Sequence, residues 1–145
     1  MDKKIKTIGV ILTGSKNYSE KEKIIEELEK IITREKTRLG PEEMLEIDLL
    51  TDGNSPSLES VASEISTIIN PTSETIKHSK IKALWDKYGK KAGYWRDKKL
   101  CELSNYCLVF RDGSKDELSS APYRWLLPMA RKERLVIRDF PLNNI

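Results

Sequence analysis

The sequence predicts a single α/β domain with a mostly parallel sheet of about five strands. Short β-branched apolar runs alternate with segments whose apolar residues recur at helical spacing, and this alternation repeats about five times along the 145 residues. Several of the apolar runs end in polar loops that contain Gly, Ser or Asp, which is typical of the end of a buried strand. Because 145 residues suit one core, we expect residues 1–145 to form one domain.

The N-terminal half contains two strand–helix units. The apolar run 6–14 predicts a buried parallel strand. Ser19 and Glu22 then form a capping-box pattern at the start of the first helix. A second strand is predicted over 44–51, and Ser57 is the expected N-cap of the helix that follows it.

The C-terminal half continues the alternation after a less legible segment. Residues 73–86 are expected to supply a short third strand and its connection. In the next predicted helix, Leu100 and Leu103 are expected to face the core. The remaining predicted elements are helices over 91–104 and 121–133 and strands over 105–112 and 134–140. Right-handed crossovers between these parallel strands give a doubly wound, Rossmann-like domain.

Positive charge is concentrated in one segment. The net charge of the chain is only +3, but residues 77–99 contain nine lysines and arginines against two aspartates, a local net charge of +7 that leaves −4 for the remainder. A local basic segment favours an anionic ligand or partner.

Composition excludes several classes of protein. No apolar run approaches the roughly 20 residues of a membrane span, so no membrane partner is expected. Cys101 and Cys107 form neither a disulfide framework nor a metal motif, and His78 is the single histidine. We therefore expect no metal, no cofactor and a reducing, cytoplasmic location. His78 has no evident nucleophile or metal partner, and we expect it at the surface.

The carboxyl ends of the strands are the expected ligand site, as in other open parallel sheets. Three polar loops should meet there, at 13–19, 51–57 and 111–117, and their backbone N–H groups suit a phosphate or nucleotide. Such loops are also ordinary turns, and that alternative stays open. None contains a G-x-G-x-x-G or P-loop motif, so a dinucleotide dehydrogenase or NTPase is not predicted. Glu59 is the candidate general base or ribose acceptor; its alternative role is a solvated glutamate at a helix start.

Segments 8–32 and 84–116 together resemble the YspA/YAcAr-like branch of the SLOG (Smf/DprA–LOG) superfamily. The family's TGSR motif is matched by TGSK at 13–16, and its W-x-x-x-G-x-x-AG-x-x-R motif by residues 85–96. Its D-G-S phosphate loop is matched at 112–114, and its glycine-rich central loop only weakly at 53–60. The resemblance implies a Rossmann-like fold, a homo-oligomer and a nucleotide-derived ligand of the ADP-ribose, NAD or cyclic nucleotide type. It also implies a setting in phage or bacterial conflict.

The resemblance also implies a set of ligand-binding positions. They are Gly14, Ser15, Lys16, Tyr18, Gly53, Asn54, Ser57, Gly93, Arg96, Asp112, Gly113 and Ser114. Among them, Gly93 is expected to allow a close backbone approach, and Arg96 is expected to point inward. The chain departs from the family at several motif positions: Asn54 and Ser57 replace glycines, Glu59 replaces an aspartate, Asp97 replaces an asparagine and Leu100 replaces a methionine. The PGGxGTxxE motif of the phosphoribohydrolase branch is also missing.

Three alternatives to ligand binding remain at this stage. The first is a phosphoribohydrolase-like N-glycosidase in which Glu59 assists. The second is a single-stranded nucleic-acid-binding protein that uses residues 77–99, with Tyr88, Tyr94 and Trp95 stacking on bases. In the third, the lysines form a solvated face of a domain that has lost its ligand site.

Overall fold

A computed structural model describes residues 4–15, 18–53, 55–67, 75–111 and 126–140. The strands are β1 (Lys4–Gly14), β2 (Glu43–Thr51), β3 (Thr75–Lys80), β4 (Tyr106–Phe110) and β5 (Val136–Phe140). The helices are α1 (Lys21–Lys36), α2 (Pro56–Thr67), α3 (Trp85–Tyr88), α4 (Ala92–Glu102) and α5 (Leu127–Lys132), with a 3₁₀ turn at Gly89–Lys91 between α3 and α4.

The five strands form one parallel sheet in the order β3-β2-β1-β4-β5, which confirms the predicted α/β fold class and its Rossmann-like arrangement. Val10 of β1 lies opposite Leu49 of β2 on one side and Tyr106 of β4 on the other. The chain runs outward from β1 to β3 and then crosses to the opposite side of β1. The strand order therefore reverses between β1 and β4, which is where ligands bind in open α/β sheets.

Two hydrophobic layers cover the two faces of the sheet. On one face, α1 and α2 pack through Ile24, Leu28 and Leu58 against the strands. On the other face, α4 and α5 pack through Leu100 and Leu127 against Ile11, Cys107 and Val109. Strand side chains alternate between the layers because successive residues of a strand point to opposite faces. Among the described residues, no helix combines the length and the hydrophobicity needed to cross a membrane.

Three local predictions are wrong. Helix α1 begins at Lys21 with Glu20 at the N-cap position and no side-chain capping bond, so Ser19 does not cap it. Helix α2 begins at Pro56, because proline suits the first helical position, and Ser57 therefore lies within the first turn instead of capping it. Leu103 follows the end of α4 and is 45% exposed, so it does not face the core.

Candidate functional site

Buried polar side chains cluster at the carboxyl edge of the sheet. In the described part of the chain, nine polar or charged side chains are buried, and seven of them lie where β1 and β2 end or in the first half of α4. The seven are Thr13, Ser15, Thr51, Asp52, Ser55, Arg96 and Asp97. A polar group costs free energy when it leaves water, so such a concentration in one place calls for a specific role.

The end of β1 is tied to both neighbouring strands. Gly14 has φ 141°, and a Cβ at this position would lie 2.0 Å from the Phe110 carbonyl oxygen, so only glycine fits. The Ser15 N–H donates to that same oxygen at 2.9 Å. The Ser15 carbonyl in turn accepts a hydrogen bond from Ser55 Oγ at 2.9 Å. The loops after β1 and β2 are thereby held together next to β4.

The end of β2 brings a carboxylate to the same place. Asp52 is buried directly after the strand, and its Oδ2 accepts a 3.4 Å hydrogen bond from Thr13 Oγ1. Gly53 then takes φ 83°, a conformation that side chains other than glycine rarely adopt. The chain turns sharply here into α2, which presents Glu59 in its first turn.

Glu59 faces this loop instead of open solvent. Its Oε1 is buried and has no hydrogen bond within the described residues. The same oxygen is 3.6 Å from Lys80 Nζ, and a Cβ on Gly53 would lie 3.7 Å from it. The Glu59 carboxylate thus lies beside the β2–α2 loop with one cation nearby and one acceptor atom unsatisfied.

Arg96 and Asp97 form a buried ion pair in α4. Arg96 Nε donates to Asp97 Oδ1 at 2.9 Å, and both side chains are almost completely buried. Asp97 Oδ2 has no hydrogen-bond partner among the described residues. Burial raises the pKa of Asp97 to about 6; the Arg96 hydrogen bond and charge oppose this shift, and the nearby Asp52 carboxylate adds to it.

His78 lies between two hydroxyl groups and is only partly exposed, whereas the sequence predicted a surface residue. It is half-buried in β3, with Nε2 2.8 Å from Thr51 Oγ1 and Nδ1 3.1 Å from Ser63 Oγ. Burial lowers the pKa of His78 below its ordinary value, while Glu59 and Asp48 oppose that shift. The neutral ring therefore positions Thr51 at the end of β2 and joins it to α2.

The structure brings together only part of the predicted site. Gly14, Ser15, Gly53, Glu59 and Arg96 lie at the carboxyl edge or point towards it. Ser57 stands in the first turn of α2, at the same end of the sheet. Lys16, Asn54, Asp112, Gly113 and Ser114 lie outside the described residues.

Two predicted site residues need correction. Tyr18 is buried in the core with its ring 5.2 Å from that of Phe110, so it does not present a face to a ligand. Burial raises its pKa to about 12. Gly93 is the second residue of α4, and among the described residues a Cβ there would meet only Arg96 Nη2, at 3.8 Å. This is ordinary contact, so no close backbone approach requires glycine at position 93.

The sequence placed the loop 51–57 at the site without singling out Asp52 or Ser55, and it gave no role to the second carboxylate oxygen of Asp97. Asp52 is the first residue after an apolar strand, and that position alone was a usable signal for the edge of the sheet. The burial of Asp97 had no such signal, because an aspartate within a lysine-rich segment is typical of a solvated helix face.

The cysteines and acidic side chains give no sign of a metal centre. Cys101 and Cys107 are both buried, and burial raises the pKa of the Cys101 thiol to about 12 and that of Cys107 further. The described residues contain no group of three or more His, Cys, Asp or Glu side chains arranged to hold a metal ion.

Comparisons with protein-family models, with curated proteins and with solved structures give no match to this chain.

Proposed function

We propose that this domain binds a nucleotide-derived small molecule at the carboxyl edge of its sheet, and that it is a divergent member of the SLOG superfamily. The observation that carries the proposal is the buried polar cluster at the reversal of strand order. Within it, two carboxylate oxygens, Glu59 Oε1 and Asp97 Oδ2, have no hydrogen bond among the described residues. Unsatisfied buried acceptors destabilise a protein, so their presence is explained best by a ligand that supplies the donors.

The chemistry of the cluster defines what such a ligand must carry. The two carboxylate oxygens without a hydrogen bond among the described residues, Glu59 Oε1 and Asp97 Oδ2, can accept from donors such as ribose hydroxyls or the amino group of a base. Lys80 and Arg96 at the same edge are paired with Glu59 and Asp97, so the positive charge that favours a phosphate comes from the surrounding basic segment 77–99. Donor groups and negative charge occur together in a nucleotide, and ligands of the ADP-ribose, NAD or cyclic nucleotide type satisfy both requirements.

Isothermal titration with ADP-ribose, NAD and cyclic nucleotides tests this proposal. We expect the wild-type protein to bind at least one of them, and bound ligand to raise the melting temperature by mass action. Glu59→Gln should weaken binding about tenfold, because the amide presents a donor on one side where the ligand requires an acceptor. Glu64→Gln is the matched control on the same helix, since Glu64 is exposed and pairs with Lys21. The proposal is wrong if no nucleotide binds at millimolar concentration.

Hydrolysis of an N-glycosidic bond is a second candidate, and the position of Glu59 favours it. The Glu59 carboxylate lies beside the Gly53 turn, and its Oε1 accepts no hydrogen bond among the described residues, which suits it to activating water or to stabilising charge on a ribose. Release of free base from nucleoside monophosphates, abolished in Glu59→Gln, would establish this activity. A ligand that binds tightly and is recovered intact would instead leave binding as the function.

A further inference from the structure

A groove of about 450 Å³ runs along α4, and we call it the α4 groove. The residues that matter to its chemistry are Lys82, Tyr88, Trp95, Arg96, Lys98 and Lys99. Its volume lies within the roughly 300–1,000 Å³ of small-molecule sites. One wall begins at Ile81, whose N–H donates to the Thr51 carbonyl at 2.8 Å at the end of β2. The groove therefore opens at the same edge of the sheet as the buried polar cluster.

Exposed aromatic surface is concentrated in and beside this groove, with Tyr88 and Trp95 in its lining and Tyr94 next to it. In the described residues, seven large apolar side chains are exposed, and four of them lie between positions 84 and 95. These four are Leu84, Tyr88, Tyr94 and Trp95, with 37% to 52% of their surface exposed. Trp95 is at the centre, with the Tyr88 ring 5.9 Å and the Tyr94 ring 5.3 Å away. An apolar patch of this kind on a small domain indicates a binding surface.

Positive charge surrounds the same indole ring. Lys98 Nζ is 5.0 Å from the centroid of the Trp95 ring, and Lys82 and Lys99 also line the groove. Four cationic side chains and one carboxylate, Glu102, are present in the lining. A ring stacked on Trp95 would thus have cations within reach of an attached acidic group.

Arg96 connects the groove to the carboxyl edge. Its side chain lines the groove while its Nε is bonded to Asp97, whose charge interacts with Asp52 at the end of β2. Among the described residues, this bond to Asp97 is the one hydrogen bond that the guanidinium donates. Arg96 therefore joins the lining of the groove to the buried polar cluster at the edge of the sheet.

From this geometry we infer that the α4 groove is the base subsite for an aromatic nucleotide, with the base stacked on Trp95 and a phosphate held by Lys98 and Lys99. The inference rests on the proposed function, which it narrows from nucleotide-derived ligands in general to those that retain an aromatic base. Base–aromatic stacking does not distinguish sequence or base identity, so any purine or pyrimidine satisfies it.

Titrations with AMP, ribose 5-phosphate and the oligonucleotide (dT)₁₀ test the subsite. We expect AMP to bind more tightly than ribose 5-phosphate, which lacks the base. Trp95→Ala should weaken AMP about five- to hundredfold, the range for loss of one base–aromatic stack, and should leave ribose 5-phosphate unchanged. Trp95→Phe should recover part of the lost affinity. Because Trp95 packs against Tyr88 and Tyr94, the melting temperature of each variant is measured as well, so that a loss of binding is not confused with unfolding.

The charge test uses two pairs of neighbouring lysines. Lys98→Glu/Lys99→Glu changes the groove, whereas Lys90→Glu/Lys91→Glu makes the same charge change on the exposed 3₁₀ turn outside it. We expect Lys98→Glu/Lys99→Glu to lower the affinity for AMP at least tenfold, and Lys90→Glu/Lys91→Glu to lower it less than threefold. Equal losses in both pairs, or (dT)₁₀ binding more tightly than AMP with a steep salt dependence, would overturn the subsite in favour of a nucleic-acid surface.

These variants test the α4 groove and the carboxyl-edge site separately. AMP binding that is weakened by Glu59→Gln but unaffected by Trp95→Ala and by Lys98→Glu/Lys99→Glu overturns the groove and supports the edge. AMP binding with the reverse pattern supports the groove and overturns the edge as the nucleotide site. No binding of AMP, ribose 5-phosphate or ADP-ribose by the wild-type protein overturns both.

Discussion

Glu27 of α1 and Asp97 of α4 are both buried carboxylates, but they differ in how many cations and hydrogen-bond donors surround them. Glu27 on α1 has Lys23 and Lys30 each at 3.0 Å from its Oε2. Asp97 on α4 has one cation, Arg96, on one oxygen, and no hydrogen bond to the other among the described residues. Glu27 is thus surrounded by exposed lysines that fold over it, whereas Asp97 is enclosed by the protein.

Their pKa values move in opposite directions as a result. Burial alone would raise the pKa of Glu27, but the hydrogen bonds from Lys23 and Lys30 outweigh it, and the pKa is lowered. For Asp97, burial outweighs Arg96, and the pKa rises to about 6. Ionised Glu27 therefore stabilises the fold at neutral pH, whereas ionised Asp97 destabilises it. A destabilising charge at the edge of the sheet fits a role in binding better than a role in packing.

Among the variants that test this comparison, Arg96→Met should have the largest effect on the free energy of unfolding. At pH 8, Arg96→Met should lower the free energy of unfolding by about 3–5 kcal/mol, because it leaves the Asp97 carboxylate buried without a cation. At pH 5 the loss should be smaller, because Asp97 then takes up a proton. Urea denaturation at the two pH values measures both numbers. Arg38→Met is the control: Arg38 is 56% exposed, and the buried Glu35 that it pairs with at 3.7 Å keeps its hydrogen bond from Tyr106 and its pair with Lys6, so we expect a loss of less than about 1 kcal/mol. An equal loss for Arg96→Met at pH 5 and pH 8 would contradict the assignment.

Asp97→Asn removes the titrating carboxylate and therefore measures how protonation of Asp97 contributes to stability. The folded protein binds a proton at Asp97 more tightly than the unfolded chain does, because the pKa is raised from 3.8 to about 6. Wild-type stability should therefore fall, relative to Asp97→Asn, as the pH rises from about 4 to about 6, and the difference should stay constant above that window. A shift of about two units corresponds to about 3 kcal/mol. Arg96 and Asp52 are the charged groups that face Asp97, so Asp52→Asn should reduce the shift. Parallel curves of stability against pH for the wild type and Asp97→Asn would refute this prediction.

Glu27→Gln should change the pH dependence of stability in the opposite direction from Asp97→Asn, and by a smaller amount. The folded-state pKa is lowered, so the stabilisation is present above the unfolded pKa of about 4.5 and is lost as the pH falls through the folded value. We expect a loss of about 1–2 kcal/mol at pH 7, measured by urea denaturation. Glu26→Gln is the neighbouring control: its side chain is 58% exposed and pairs with Lys30 at 3.6 Å, so the loss should be under about 0.5 kcal/mol. If Glu27→Gln and Glu26→Gln lowered the free energy of unfolding equally, burial of the carboxylate would not determine how much its ion pairs stabilise the fold.

The fold was predictable because its signals are local and repeated. The apolar runs at 6–14, 44–51 and 105–112 each correspond to a central strand, and parallel strands joined by helices have few permitted arrangements. The third strand was the hardest to predict, since Thr75–Lys80 pairs with β2 alone at the edge of the sheet and needs no continuous apolar run.

The candidate site was less predictable because its residues acquire their properties from neighbours distant in sequence. Arg96 was expected to point inward, and it does; but Asp97, next to it, is buried because Asp52 and α4 meet at the edge of the sheet. Likewise, Tyr18 has the loop position of a ligand-binding aromatic, and only the position of Phe110 turns it into a core residue. Sequence spacing gives the direction of a side chain along its own helix or strand, and it carries no information on what packs against it.

Gly93→Ala should have the smallest effect, and it separates the backbone of α4 from the ion pair. A methyl group at position 93 would contact Arg96 Nη2 at 3.8 Å without displacing it, and alanine in a helix gains up to about 1 kcal/mol over glycine. Urea denaturation should therefore show unchanged or slightly increased stability, with the pH dependence from Asp97 intact. Gly9→Ala is the contrasting variant, because its Cβ would lie 2.1 Å from the Leu103 carbonyl oxygen and should prevent folding. If Gly93→Ala instead lowered the free energy of unfolding by more than about 1 kcal/mol, the methyl group would be displacing the guanidinium of Arg96. The Arg96–Asp97 ion pair would then depend on the open space beside Gly93.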